Sequence, residues 1–394
     1  MKNLNFLIKP ASGLCNMRCR YCFYEDEAAN RSEANAGRMT EATADRLIED
    51  AFAALDERGM VTFAFQGGEP TLAGLDYFRH FVAKAAQCNT KRVQVNYAIQ
   101  TNGLALDEEW ADFFAAHRFL VGVSVDGTKA IHEELRPDAA GKSTWNRVTK
   151  NLALLQKKRV DTNILCVVTR LCAKSPVKVY HALQKLGGQY LQFIPCLDPL
   201  GAERGSMEYS LTPELYASFL CGLFDAWYLD WKNGRYTSIR LFDDYVHLAM
   251  GMPAGTCATS GSCGAYLVVE GDGTLYPCDF YCLDDWKLGK VGEQPLEAFL
   301  HGEREQEFLA QGERHPEECA VPARGCASAA ANATGTPTRP GPTIISARRS
   351  FGSLLMQASG WQRSLAPNAR CSGEAAREDQ MASSTTSSRW QGCS

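Results

Sequence analysis

Three cysteines within eight residues carry the first chemistry in this chain: Cys15-Asn-Met-Arg-Cys19-Arg-Tyr-Cys22, spaced Cys-x3-Cys-x2-Cys. Thiolates are soft ligands and suit iron–sulfur clusters and zinc. A cubane cluster usually takes four cysteines. Three close ones with no local fourth leave one iron open to a ligand that is not protein. A zinc site and three unrelated core thiols are the competing readings. Zinc favours paired Cys-x2–4-Cys or mixed Cys/His sets, and this stretch holds no histidine. Tyr21 sits beside the last thiol, and Phe23 and Tyr24 follow.

Other polar positions fall at expected strand ends. Gln66-Gly67-Gly68-Glu69-Pro70 places paired glycines where a ligand can approach the backbone closely, and a carbonyl or carboxylate there can accept from an ammonium group. Gln100-Thr101-Asn102-Gly103, Ser124-Val125-Asp126-Gly127, Arg136 before Pro137, and Leu197 after Pro195-Cys196 occupy comparable places. Alone, each reads as a turn, a cap or a surface charge; the shared position raises them. Further on, Cys257 and Cys263 precede a Gly271-Asp272-Gly273 hairpin turn, and Cys278 lies at the far end of that hairpin. Three cysteines can converge there on one metal. Asp279 follows directly, and alone reads as a solvated hairpin-end carboxylate.

The elements that must position these residues are strands alternating with helices. Apolar runs at Leu4–Ile8, Val61–Phe65, Val93–Ile99, Phe119–Val125, Asn163–Val168 and Tyr190–Ile194 read as strands. Periodic segments at Thr40–Leu55, Leu75–Ala86, Glu108–Ala116, Trp145–Lys158 and Val177–Leu186 read as helices between them. This order predicts parallel βαβ units and a partial (β/α)6 barrel, with ligands at the carboxyl ends of its strands. Thr212–Asn233 reads as a long amphipathic helix bridging to a second module, its aromatics serving as core.

The chain has 394 residues, 45% of them hydrophobic, and a net charge of −4. Two domains are expected, and no basic face for nucleic acid is implied. The apolar run in Met1–Pro10 is too short for a signal peptide, and no run reaches the ~18 apolar residues of a membrane span. Sixteen cysteines in such a chain point to metal or catalysis in a reduced cytoplasm, not to disulfides.

The motif Cys-x3-Cys-x-aromatic-Cys, followed one βα unit later by Gly67-Gly68-Glu69-Pro70, resembles the radical S-adenosylmethionine (SAM) enzymes. The resemblance implies a [4Fe-4S] cluster on Cys15, Cys19 and Cys22 whose open iron binds SAM and cleaves it to a 5′-deoxyadenosyl radical. It implies SAM contacts at Tyr21, Gly68, Ser124, Arg136 and Leu197. The second module resembles a SPASM domain, which implies one or two auxiliary [4Fe-4S] clusters, with Cys257, Cys263, Cys278 and Cys319 among the ligands. Barrel and module together closely resemble the anaerobic sulfatase-maturating enzymes. That family implies Asp279 as general base, with Tyr24, Gln66, Gln100 and Asn102 as candidates for holding the substrate. The substrate is a Cys/Ser-x-Pro/Ala-x-Arg segment of an unfolded or nascent sulfatase, converted to formylglycine, and flavodoxin or ferredoxin is the expected electron donor. Another SPASM-type maturase forming thioether or carbon–carbon links is the first rival, though the motif at residue 15 leaves no room for the extra N-terminal domain these often carry. A non-catalytic iron–sulfur protein is the second. Cys88, Cys166, Cys172, Cys196, Cys221 and Cys282 have no motif and read as ordinary buried thiols.

The expected division is 1–235 for the barrel with its bridging helix, 236–326 for the cluster module, and 327–394 for an anomalous tail. The resemblance ends near Cys319. From Ala327 to Ser394, Ala and Ser make up 24 of 68 residues, which leaves little to bury. A disordered tail is one reading; a shifted reading frame is the preferred one. In the frame joining the last base of one codon to the first two of the next, the code permits Cys at Ala320/Val321, Cys326/Ala327, Ala330/Ala331 and Ser346/Ala347. That series resembles the family's missing cysteines. An authentic tail leaves the auxiliary clusters short of ligands and the enzyme impaired. Sequencing the gene across codons 315–350 is expected to reveal those cysteine codons in the second frame; their absence overturns the idea.

Overall fold

The computed structural model describes residues 1–253, 255–257, 263 and 266–313. Its frame is one sheet. Strands β1 (Asn3–Ile8), β2 (Met60–Phe65), β3 (Gln94–Thr101), β4 (Leu120–Ser124), β5 (Asp161–Val168) and β6 (Tyr190–Pro195) pair in sequence order, all parallel. A two-residue strand β7 (Ser238–Ile239) extends the β6 edge. The sheet does not close, so the partial barrel expected from the alternation is the architecture found.

Parallel strands are covered on both faces, and the sequence provides the cover. Phe63 stacks between Phe6 and Tyr97, and Phe65 packs edge-on to Phe78 and Phe81. These come from β1–β3 and from the helix Leu75–Cys88. The helix Glu41–Ala54 starts at Thr40, whose hydroxyl accepts from the Thr43 N–H at 3.1 Å, a side-chain cap that satisfies one free donor of the first turn. The expected helices all appear, with ends shifted by a few residues. Helices at Phe23–Ala29, Lys129–Leu135, Arg240–Ala249, Leu296–Leu300 and Glu303–Glu313 were not anticipated; most are too short for a clear apolar period.

The long helix Pro213–Lys232 buries Phe219, Leu220, Leu223, Phe224 and Trp227. Its aromatics are core, as expected, but it does not lead straight out of the barrel. The Trp227 indole donates to the Thr237 carbonyl at 2.8 Å, and the chain re-enters the sheet at β7.

The second module joins the same sheet at its other edge. Strand β8 (Leu267–Val269) lies parallel to β1, and β9 (Thr274–Tyr276) pairs back antiparallel through the Gly271-Asp272-Gly273 turn. Gly273 takes φ +84°, and Asp272 caps the turn by accepting from the Thr274 N–H at 3.0 Å. Strand β10 (Gly289–Lys290) completes the ten-stranded order. Among the described residues no helix is long and apolar enough to cross a membrane.

The hairpin docks closely on the segment before the second helix. A Cβ on Gly271 overlaps the Gly37 carbonyl oxygen. Gly271→Ala is therefore expected to destabilise the chain by about 1–3 kcal/mol, as overpacking does, measured by denaturant unfolding of the metal-free protein; a variant as stable as the parent refutes the close fit.

Candidate active site

The cysteine loop follows β1 at its carboxyl end and has little regular structure of its own. Neighbouring segments hold it from two sides. Gly68 and Glu69 donate backbone N–H groups to the carbonyls of Ser12 (2.8 Å) and Leu14 (2.7 Å). On the other side, Arg18 and Arg20 donate to Pro137 and Leu135 at 2.9 and 3.0 Å. A Cβ on Gly68 overlaps the Leu14 carbonyl oxygen, and one on Gly67 crowds Ser12 and the Lys9 stem. The paired glycines therefore let two loops touch.

Glu69 locks this contact. It is fully buried. Its Oε1 accepts from the Thr71 N–H and hydroxyl and from Thr101, and its Oε2 accepts from the Asn102 N–H at 2.7 Å. Burial raises its pKa, and these four donors oppose the rise. Through these bonds the carboxylate fixes the loops after β2 and β3. Asn102 then places its amide 2.7 Å from Asn16 Oδ1 and 3.6 Å from Cys15 Sγ. The structure thus sets Asn102 against the cysteine loop. Gln100, another substrate candidate, instead donates to Ser124 Oγ at 3.0 Å.

Tyr21 and Arg136 meet in a buried polar group. The Tyr21 hydroxyl donates to Asp126 Oδ2 and accepts from Arg136 Nη1 at 2.7 Å; Asp126 Oδ1 accepts from the Val167 N–H. The Arg136 Nε is buried without a protein partner. His132 supports both ends of this group. Its Nδ1 accepts from the Asp126 N–H, while its Nε2 lies 3.0 Å from Thr144 Oγ1, which donates to the Arg136 carbonyl. Burial and the nearby Arg136 charge push the His132 pKa down to about 3, so the ring is neutral. Leu197 is half-buried just beyond β6, beside Cys196, which packs on Tyr21 and Leu135.

The second module brings Asp279 to the same end of the sheet, where it is buried and not solvated. Tyr24 Oη lies 2.7 Å from Asp279 Oδ2 and 3.0 Å from Gln66 Oε1. Its single proton belongs to the carboxylate, the stronger acceptor. Asp279 Oδ1 lies 3.4 Å from Lys9 Nζ without hydrogen-bond geometry, so no protein donor satisfies it. Lys9 is buried and also faces Glu27 at 2.9 Å, Glu270 at 3.6 Å and Cys282 Sγ at 3.1 Å. Burial pushes Glu27 up to about 7, against the pull of Lys9. Three residues singled out from sequence thus converge, while Lys9, Glu27, Glu270 and His132 were missed. Cys282, taken for an ordinary thiol, is buried but lies within this charged group.

Cys15, Cys19 and Cys22 are half-buried and reduced, as are Cys263 and Cys278, while Cys257 is exposed. Burial raises the Cys19 thiol to about 12 and Cys278 likewise. A metal is what holds such thiols as thiolates. No three donors among the described residues gather tightly enough for a single ion; a cubane instead separates its ligands over different irons. The donor set and the unpartnered Arg136 Nε fit a cluster with an anionic ligand on its open iron. Around Cys278, Tyr266 lies 3.4 Å from the sulfur and its oxygen accepts from the Asp279 N–H at 3.1 Å. Cys319 and the tail cysteines lie outside the described residues.

The radical SAM superfamily model matches residues 10–172, and the iron–sulfur cluster-binding SPASM model matches residues 262–327. The cysteine-type anaerobic sulfatase-maturating enzyme of Clostridium novyi (strain NT) is 42% identical over 319 residues, covering 81% of this chain and 85% of that enzyme. The serine-type anaerobic sulfatase-maturating enzyme of Klebsiella aerogenes is 32% identical, over 75% of this chain and 71% of its own length. Native anSMEcpe with bound AdoMet and Cp18Cys peptide superposes with a TM-score of 0.85 at 35% identity, over 92% of this chain and 99% of that one.

The buried neutral His132 has a pH consequence. Its folded pKa lies below the unfolded value of about 6.5, so the unfolded state binds the extra proton as pH falls through that window. Stability is full above pH 6.5 and is lost toward pH 3. About 2 kcal/mol is expected to be gone by pH 5 in the metal-free protein, and His132→Gln is expected to flatten that slope in guanidinium titrations at pH 7 and 5. An unchanged slope refutes the assignment.

Proposed function

This chain belongs to the family of anaerobic sulfatase-maturating radical SAM enzymes, and on that footing we propose that it oxidises a cysteine in a sulfatase polypeptide to Cα-formylglycine. The observation that carries the reading is Asp279, a buried carboxylate next to a candidate cluster cysteine, with Tyr24 and Gln66 beside it and one oxygen without a hydrogen bond. The preference for cysteine over serine rests on relatives: the cysteine-type enzyme is 42% identical and the serine-type 32%.

When bound, SAM and the clusters supply the hard chemistry, a 5′-deoxyadenosyl radical that takes one hydrogen atom from the substrate Cβ and an acceptor for one electron. Cys15, Cys19 and Cys22 would hold the first cluster, and Cys257, Cys263, Cys278 and Cys319 would serve an auxiliary one. Arg136, held by Tyr21 and with its Nε unpartnered, would bind the SAM carboxylate, and Gly68, Ser124 and Leu197 would help to hold the rest of that ligand. Asp279 Oδ1 takes the thiol proton while Tyr24 fixes Oδ2. Loss of a hydrogen atom, a proton and an electron turns the CH2–SH group into a thioaldehyde. Water then adds and hydrogen sulfide leaves. Tyr24 and Gln66 orient the peptide. Gln100 and Asn102 act one step back, through Ser124 and the cysteine loop. The partner is an unfolded or nascent sulfatase, with a small flavin or iron–sulfur protein as electron donor.

Anaerobic turnover of a Cys-x-Pro-x-Arg peptide with SAM and a reductant is expected to give a peptide that has lost its thiol and reacts as an aldehyde by mass spectrometry. A crosslinked peptide with no aldehyde favours the rival peptide-maturase reading instead. Asp279→Asn is expected to lower product formation by about 10²–10⁴-fold, the range for a general base. The 5′-deoxyadenosine made in parallel reports whether the N-terminal half works when the auxiliary half does not.

A further inference from the structure

Lys9 stands immediately after β1, and nothing in the reaction above uses it. Its side chain is almost fully buried. Its ammonium faces Glu27, Glu270 and Asp279 at 2.9, 3.6 and 3.4 Å, and lies 4.8 Å from the centre of the Tyr24 ring. Its backbone N–H donates to the Val269 carbonyl at 2.8 Å, so the residue is anchored in the second module at both ends. The stem passes over Gly67, where a Cβ crowds its Cβ and Cγ at 3.0 and 3.1 Å. Glu270 is held in turn by Arg31 at 2.7 Å, and Glu27 Oε1 accepts from the Cys282 N–H at 2.9 Å. The ammonium is thus braced by two carboxylates that are themselves braced, and it touches both the carboxylate and the ring of the Asp279–Tyr24 pair.

We propose that Lys9 is a positioning residue for the reaction: its braced ammonium sets where the Asp279 carboxylate and the Tyr24 ring stand relative to the substrate beside Gln66. The proposal rests on the reading of Asp279 as the group that takes the substrate proton. Bulk neutralisation does not require this arrangement, because a buried ion pair is often replaced by apolar groups without loss of stability. What an apolar replacement cannot do is hold a carboxylate and an aromatic ring on one point.

Lys9→Met alone leaves carboxylates uncompensated and can fail to fold. The test therefore uses the full chain carrying Lys9→Met together with Glu27→Gln, which removes the ammonium and replaces its nearest carboxyl group by a neutral amide. Two readouts are taken. In the first, formylglycine formed per 5′-deoxyadenosine is expected to fall by about 100-fold, the scale of a misplaced reacting group; a parental ratio overturns the proposal. In the second, which needs no turnover, Lys9→Met and Asp279→Asn are combined in the Glu27→Gln background and melted thermally. The two shifts are expected to be non-additive, and additivity overturns the proposal because it removes the contact. Asp279→Asn assayed beside them separates the premises. If it keeps the parental product ratio, the reading of Asp279 as base falls, whatever the Lys9 contact shows.

Discussion

The buried Glu69 carboxylate is the constraint on which the radical-forming end of the molecule depends. Four donors from two loops converge on its two oxygens. The cysteine loop has little regular structure of its own beyond a single Met17–Asp138 bridge, so its geometry is borrowed from its neighbours, through Gly68, Glu69 and Asn102 on one side and Leu135 and Pro137 on the other. A buried carboxylate with donors on both oxygens is stable, whereas the loss of one donor exposes a desolvation cost of about 1–3 kcal/mol. The same locked loops then set the orientation of the three thiols. Orientation is what a cluster site demands of its protein, since the cofactor brings its own reactivity.

The barrel was legible because each of its signals is local. Apolar runs of strand length, turn residues and helical periods of three to four residues sit side by side in sequence, and β1–β6 appear where those signals place them. Tyr24, Gln66 and Asp279 were found because they ride on motifs. Lys9, Glu27 and Glu270 were not, for a physical reason. A lysine after a strand carries the same local pattern whether it faces water or the interior. Its partners lie 18 and more than 250 positions away in the chain. Nothing in the sequence states that the β8–β9 hairpin will lie against β1, because a hairpin edge pairs through backbone groups that every residue carries. His132 was hidden likewise: a helix of seven residues, Lys129–Leu135, is too short to show a face.

At Gly68 the close approach is first of all to the protein itself. The paired glycines suggested close approach of a ligand. Their first consequence is close approach of the Leu14 carbonyl, which a side chain at Gly68 overlaps. A glycine in such a place therefore points to contact before it points to a ligand.

Charge balance ties Asp279 and the loop after β1 together. Around Asp279 two cations, Lys9 and Arg31, meet three carboxylates, Glu27, Glu270 and Asp279. Burial raises Glu27 to about 7, so the extra proton of this group resides there more readily than on the salt-bridged Glu270, whose pKa stays low despite its burial. If the second module separates from β1, Lys9 and Glu27 lose Glu270 and Asp279 together, and stripping a partner from a buried pair costs about 3–5 kcal/mol. The hairpin pairing and the ionic group thus fail or hold as one. Asp279 meets Tyr24 and Lys9 only in the docked arrangement, which couples its position to the pairing of β8 with β1.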